Sequence, residues 1–169
     1  MILIKDIAYN EKLKEAMNQL GKGAFLTVKA GEEVNTMTIG WGMVGLIWNK
    51  PIFQVLVRKS RHTHDLLERS EDFTVSFPIG KDLKEALAFC GSISGKEVNK
   101  LERPFISTKK GKKVHAPIIS ECNLHYECRI VAKQELVEDQ IGTDLGTMFY
   151  GNGDYHTLYY GEIVACYEL

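Results

Sequence analysis

Two short polar segments hold the residues of this chain best suited to chemistry. Arg58-Lys59-Ser60-Arg61-His62-Thr63 packs two guanidiniums, an ammonium, two hydroxyls and an imidazole into six residues. Guanidinium forks and hydroxyls match phosphate oxygens, so this inventory points to phosphate binding. Asn35-Thr36-Met37-Thr38-Ile39-Gly40-Trp41 adds hydroxyls, a glycine and a large aromatic ring. An anionic tail beside a flat ring describes a nucleotide-like cofactor. Each segment also has a plainer reading. The first matches an exposed basic turn after an edge strand. The second matches an ordinary strand with Met37, Ile39 and Trp41 packed inward. That strand would turn Thr36, Thr38 and Gly40 to the other face, where a ligand can approach the backbone.

A third segment, Gly91-Ser92-Ile93-Ser94-Gly95-Lys96, looks like a phosphate loop but departs from one. A Walker A loop has a longer spacer between its glycines and a Ser or Thr after its lysine. Here three residues intervene and Glu97 follows. This argues against nucleoside triphosphate hydrolysis. Backbone N–H groups, Ser92, Ser94 and Lys96 or Lys100 still suit an anion, and a helix C-cap followed by a loop is the alternative. No Ser/His/Asp, Cys/His or paired-carboxylate constellation can be built. Cys90 falls near a helix end, on the negative side of the dipole, which disfavours a thiolate. His156 lies in Gly153-Asp154-Tyr155-His156-Thr157 with an acid close by, and His62 and His64 flank Thr63. Cys122, His125 and Cys128 match no standard zinc module. Strand alternation sets the histidine opposite the cysteines, so no metal is expected.

These residues need elements to position them. Pro51–Val57 reads as a strand by its β-branched and aromatic content. The basic segment therefore sits where a strand ends and a helix begins. Thr63 is the expected cap, with Asp65 in the first turn. Upstream, Tyr9, Leu13, Ala16, Met17 and Leu20 form one helical stripe, with Asn10 as N-cap and Gly21 as stop. A strand follows at Ala24–Lys29, then a turn at Ala30–Glu33 and the extended Asn35–Trp41. Gly42–Trp48 is apolar but broken by glycine, which predicts a loop or bent strand. Phe73–Phe77 alternates as a half-buried strand. Asp82-Leu83-Lys84-Glu85 resembles a capping box that opens a helix to about Cys90. Lys109–Lys113 reads as a solvated turn. Ile118–Val137 carries one or two strands, and Asp154–Tyr167 a strand pair or one long strand. Strands outnumber helices without βαβα alternation. The expected fold is mainly β (α+β): an antiparallel barrel or sandwich decorated by short helices.

Bulk properties narrow the function. The 169 residues fit one domain, and 44% apolar content supports a core. A net charge of -1 argues against a nucleic-acid partner. No apolar run reaches the roughly 18 residues of a membrane span. Met1–Asp6 lacks the pattern of a signal peptide, so a cytoplasmic location is expected. Four cysteines without an export signal do not indicate a disulfide framework.

The order of motifs carries a resemblance. Asn-x-Met-Thr-x-x-Trp, a Pro-led strand, Arg-x-x-Arg-x-Thr, a Phe-x-Val strand, Cys-Gly-x-x-Ser-Gly-Lys and a late Gly-Asp-x-His…Gly-Glu run from Asn35 to Glu162. This set resembles the flavin reductase-like, FMN-binding split-barrel proteins, and within them is most similar to the flavoredoxin-type branch. The resemblance implies one split β-barrel domain over residues 1–169, with 1–22 as a helical appendage. It implies a homodimer with FMN near the interface. Asn35 and the ring contacts Met37, Thr38, Ile39, Gly40 and Trp41 would bind the cofactor. Arg58, Ser60, Arg61, His62 and Thr63 would hold its phosphate. Cys90, Gly91, Ser92, Ser94, Gly95 and Lys96 would close over the ribityl phosphate, with Lys100 nearby. His156 would position a nicotinamide. Two departures stand out. Lys96-Glu97 replaces a frequent Arg-Asp, and His62 takes the place of a ring-bearing residue often found before the phosphate-site threonine. The implied function is an FMN-dependent oxidoreductase, with hydride transfer from NADH or NADPH to flavin N5 and onward electron transfer. The alternative is a flavoredoxin-type electron carrier reduced by a redox protein partner.

Overall fold

The computed structural model describes residues 3–169; Met1 and Ile2, which open both the segment read for an export signal and the 1–22 appendage, lie outside the described residues. The elements in chain order are β1 (Lys5–Asp6), α1 (Leu13–Leu20), β2 (Ala24–Ala30), β3 (Glu33–Ile39), β4 (Gly42–Ile47) and β5 (Lys50–Arg58). There follow α2 (His62–Leu67), β6 (Asp72–Phe77), α3 (Lys84–Ser92), β7 (Thr108–Lys109) and β8 (Ile118–Ile119). The chain ends with β9 (Leu124–Glu135), α4 (Thr143–Phe149) and β10 (His156–Glu168). Short 3-10 turns cover Lys100–Glu102 and Glu138–Gln140. No helix among the described residues is long and apolar enough to cross a membrane.

One antiparallel sheet runs in the order β3-β2-β6-β9-β10-β5-β4, with β1 added against β10. It is rolled. Strands β6 and β5 stand three places apart, which in a flat sheet is about 14 Å. Yet the Phe53 and Phe77 rings are 6.2 Å apart, and both pack near Tyr126. The rolled face encloses a core that includes Leu26, Val28, Val55, Phe73 and Tyr159, and a second cluster of Phe25, Leu87, Cys90 and Ile119 packs under α3. Consecutive strands β3 and β4 lie at opposite ends of the order, joined by Gly40-Trp41 and unpaired with each other. A seam results.

Several local expectations change or resolve. Of the loop or bent strand expected at Gly42–Trp48, residues Gly42–Ile47 form a strand paired with β5 throughout; the ladder tolerates Gly42 and Gly45, and Met43, Leu46 and Ile47 are exposed. Phe73–Phe77 is buried on both faces. Residues 117–119 cover its outer side: Thr74 Oγ1 donates to the Pro117 carbonyl at 2.7 Å, and Ile119 N–H donates to Ser76 Oγ at 3.2 Å. α1 is capped at Lys12, not Asn10, while Gly21 ends it as expected. α3 has Leu83 at its N-cap and runs past Cys90 to Ser92; Asp82 Oδ1 accepts only the Lys84 N–H, at 3.2 Å. The last segment is one long strand, bulged against β9. In the lysine-rich turn the side chains are exposed, but the Lys112 and Lys113 N–H groups each donate to buried Glu127 at 2.6 Å. Glu127 also accepts the Tyr167 hydroxyl at 2.6 Å.

Candidate functional site

The seam opens a cavity of about 270 Å³. Met37 through Trp41 line one side, Leu56, Arg58 and His156 the other, and Arg61 its end. Consecutive residues of a strand point to opposite faces. A cavity lined by Met37, Thr38, Ile39 and Gly40 together therefore meets β3 along its free edge. α3 packs over the outer face of β3 at Thr38, while Thr38 and Gly40 still line the cavity. Thr38 Oγ1 donates to the Leu87 carbonyl at 2.6 Å, and a Cβ on Gly91 would lie 3.3 Å from Thr38 Cβ. Met37 and Ile39 join the core, but Trp41 is 45% exposed, since the strand ends before it. Its ring meets Phe149 edge-on at 5.1 Å and His156 at 5.4 Å.

A smaller cavity of about 100 Å³ adjoins the first. Asn35, Ser60 and His62 face Ser92–Gly95 and Lys100 across it, and Arg61 borders both cavities. Arg61 Nη1 donates to the Gly91 carbonyl at 2.9 Å, leaving its other N–H groups for a ligand. Burial lowers its pKa, with Asp154 acting against that shift. Lys100 is only 2% exposed. Its Nζ donates to the Thr36 carbonyl at 2.9 Å and the Cys90 carbonyl at 2.8 Å, and one proton remains. Burial pulls the Lys100 ammonium down to about 8, and Cys90 opposes the shift. His62 Nε2 meets Glu33 Oε1 at 2.7 Å, while its Nδ1 is buried with no partner. Such an orphan costs free energy unless a ligand satisfies it.

α2 opens at His62 with Arg61 at the N-cap, two residues before the expected cap. Thr63 is not the cap. It lies inside the helix and accepts a hydrogen bond from Asn35 Nδ2 at 2.8 Å, which fixes Asn35. Lys96 turns outward to Asp65, at 2.7 Å. Ser92 Oγ donates back to the Ala88 carbonyl at 2.8 Å, and Ser94 Oγ accepts the Lys96 N–H at 3.2 Å. Cys90 is buried and its thiol is pushed up to about 11, so it is no nucleophile. A Cβ on Gly95 would overlap Asn35 Oδ1 and sit 2.8 Å from His62 Cδ2. Gly95→Ala is therefore expected to lift the loop and weaken cofactor retention by on the order of tenfold, with the urea midpoint nearly unchanged. Fluorescence titration with FMN measures it.

Arg58 and Ser60 have protein partners that the basic segment did not reveal. Arg58 Nη1 and Nη2 donate to the Asp154 and Phe149 carbonyls at 2.6 and 2.9 Å, and its guanidinium lies 5.1 Å over the Tyr150 ring. Ser60 donates through N–H and Oγ to the Asp154 carboxylate at 3.2 and 2.5 Å. Together they clasp the turn between α4 and β10, and that turn delivers His156. Buried His156 meets the Tyr150 hydroxyl through Nδ1 at 2.6 Å. Burial, then the Arg58 charge, hold its pKa near 4, so the imidazole is neutral at pH 7. The sequence reading gave Leu56 only a place in the Pro51–Val57 strand and gave Phe149 and Tyr150 no role; the Gly151-Asn152-Gly153 turn beside the latter two is a signal that could have marked them. Cys122, His125 and Cys128 are all buried in the fold. His125 bridges Ser76 Oγ and the Cys122 carbonyl at 2.9 and 3.2 Å.

The donor set fits a flavin mononucleotide. Free protons on Arg61 and Lys100, the orphaned His62 Nδ1 and a loop pressed too close for a Cβ at Gly95 form an anion cradle. A strand edge and an aromatic wall continue from it. Residues 20–169 match the Flavin reductase like domain model. The chain belongs to the flavin reductase like domain family. An uncharacterized protein of Archaeoglobus fulgidus is 33% identical over 140 residues, covering 83% of this chain and 68% of that one. Flavoredoxin from Methanosarcina acetivorans shares 27% identity with a TM-score of 0.68, covering 87% of this chain and 68% of its own. An FMN-binding protein from Thermus thermophilus, solved with 1-cyclohex-2-enone bound, shares 29% identity with a TM-score of 0.65, over 86% and 69% of the two chains. The fold is the split barrel of these flavin reductase-like proteins.

Proposed function

We propose that this flavin reductase-like chain is an FMN-dependent oxidoreductase that draws electrons from NADH or NADPH. The carrying observation is one continuous groove in which Arg61 joins an anion cradle to an aromatic-walled slot. When bound, FMN supplies the redox chemistry, accepting electrons from one partner and passing them to another. The chain's residues bind and orient. Arg61 and Lys100 neutralise the phosphate, and His62 Nδ1 gains a partner. The free edge of β3 offers backbone N–H groups to the ring. Neutral His156, beside Trp41, presents an uncharged flat face that orients a nicotinamide, and no proton transfer is asked of it.

The chain acts as a homodimer in this reading. Met43, Leu46, Ile47 and Trp48 form an exposed apolar row on edge strand β4 and its turn, which a second copy would cover. Leu46→Glu is expected to yield monomers in light scattering, where the parent gives dimers. Its four buried free thiols suit a reducing compartment, which favours the cytoplasm.

The similarity to a flavoredoxin favours a second reading, an FMN carrier reduced by a redox protein partner. Anaerobic addition of NADH or NADPH to the FMN-loaded protein separates the two. Bleaching of the flavin absorption supports the oxidoreductase. Bleaching by a reduced iron–sulfur protein but by neither nucleotide overturns it in favour of the carrier.

A further inference from the structure

Among the described residues, His62 Nδ1 is the buried side-chain atom left without a hydrogen-bond partner. Glu33, the first residue of β3, meets the other ring nitrogen, Nε2, at 2.7 Å. Arg69 Nη2 donates to the second Glu33 oxygen at 3.2 Å. The Arg69 hydrogen bond, and after it that of His62, hold the Glu33 carboxyl below the ordinary carboxylate range, with burial acting against them. An ionised carboxylate only accepts, so Nε2 carries a proton. Neutral His62 then has a bare Nδ1, which is an acceptor. That acceptor belongs to a cavity whose other charged members, Arg61 and Lys100, offer protons to an anion. A bare nitrogen and a phosphate oxygen both accept, and no hydrogen bond joins them without one more proton.

We propose that the Glu33–His62 pair takes up one proton when the cradle receives a phosphomonoester, so that cofactor retention is proton-coupled and Glu33 is a positioning residue acting through His62. This rests on the flavin reading of the groove. The proton comes from solvent and forms the Nδ1–H bond, which donates to a phosphate oxygen; no other bond changes. The charges around the ring set when it enters. Glu33 on Nε2 favours the imidazolium, and Asp65 of α2 adds a second carboxylate within the field of His62. Lys96 draws Asp65 outward, and Arg69 shares Glu33. Arg61 and Lys100 oppose a third cation in the empty cavity. His64 is engaged elsewhere, by Thr157. A dianion placed among these cations reverses their effect, because a nearby opposite charge favours the charged imidazole. The proton therefore enters with the ligand. A dephosphorylated flavin ends in a hydroxyl, which donates to the bare Nδ1 without any added proton. The pair thus tells a phosphorylated tail from a hydroxyl by one proton, and its preference for the former weakens as pH rises.

The test titrates the flavin-free full chain with FMN or riboflavin by calorimetry at about pH 7, in buffers of different ionisation heat, which counts the protons taken up. At that pH Lys100, lowered to about 8, is already charged and adds little. The parent is expected to take up most of one proton per FMN, and none with riboflavin. His62→Asn keeps an N–H near the Nδ1 position and should bind FMN without uptake. Glu33 is exposed, so Glu33→Gln should keep the parental urea midpoint. It should weaken FMN on the order of tenfold and leave riboflavin unchanged. FMN binding by the parent without proton uptake overturns the proposal and leaves the flavin reading intact. Equal uptake in His62→Asn, or with riboflavin, also overturns it, by placing the proton elsewhere. So does parental FMN affinity in Glu33→Gln. Failure of the parent to bind FMN sinks the flavin reading itself, and the proposal with it.

Discussion

Replacing Arg61 by alanine lowers FMN affinity by on the order of 10- to 100-fold, the equivalent of a charge-assisted hydrogen bond worth about 1.5–3 kcal/mol. Arg61 is the one residue that borders both cavities, so it can reach the phosphate while framing the ring slot. Its Nη1 also ties the Gly91 carbonyl, so the variant loses a loop anchor along with the charge. The fold is not at risk. Arg61 occupies the α2 N-cap without a side-chain cap bond, so the urea midpoint stays close to the parent's. Arg61→Lys should recover part of the affinity, because it keeps the charge and loses the fork. Adding Thr63→Ala removes the acceptor that fixes Asn35 and deepens the loss. Fluorescence titration with FMN reads each step. Parental occupancy in the Arg61→Ala/Thr63→Ala double variant would refute the phosphate assignment.

FMN affinity is further expected to fall as pH rises through about 8, the value to which burial lowers Lys100. Below that pH the ammonium keeps one proton for the phosphate, beyond the two held by the Thr36 and Cys90 carbonyls. Above it the empty site holds a neutral amine, and binding a dianion must first take up a proton. The effect on folding has the opposite sign. Between about 8 and the ordinary lysine value of 10.5, the unfolded chain binds more protons at this group than the folded one. The contribution of Lys100 to stability therefore rises with pH across that window. Lys100→Met should bind FMN more weakly at neutral pH and lose the alkaline step. Dissociation constants measured from about pH 7 to about pH 10 decide the matter. Parallel profiles for parent and variant would exclude Lys100 from the anion site.

The sequence was most legible where side-chain type and burial agree. Ala24–Ala30, Pro51–Val57 and Phe73–Phe77 are β-branched or aromatic runs, and each is a strand. The motif order brought three distant segments to one groove. What stayed hidden depends on partners far along the chain. The ties of Arg58 and Ser60 to Asp154 were not legible, because Asp154 stands 96 and 94 residues away. Thr63 has the type of a cap, yet Asn35 claims its hydroxyl. Gly42 and Gly45 blurred β4, in which only Val44 packs against the core while Met43, Leu46 and Ile47 are exposed.

Because β3 and β4 never pair, the sheet closes everywhere except along the edge where the cofactor would lie. On the flavin reading, the cofactor acts as the missing stave of the barrel. A ligand that binds only the folded state adds to its stability as the free concentration climbs above the dissociation constant. The lifetime of this protein in a cell would then follow the local supply of flavin. Newly made chains would persist where the vitamin is plentiful and be cleared where it is scarce.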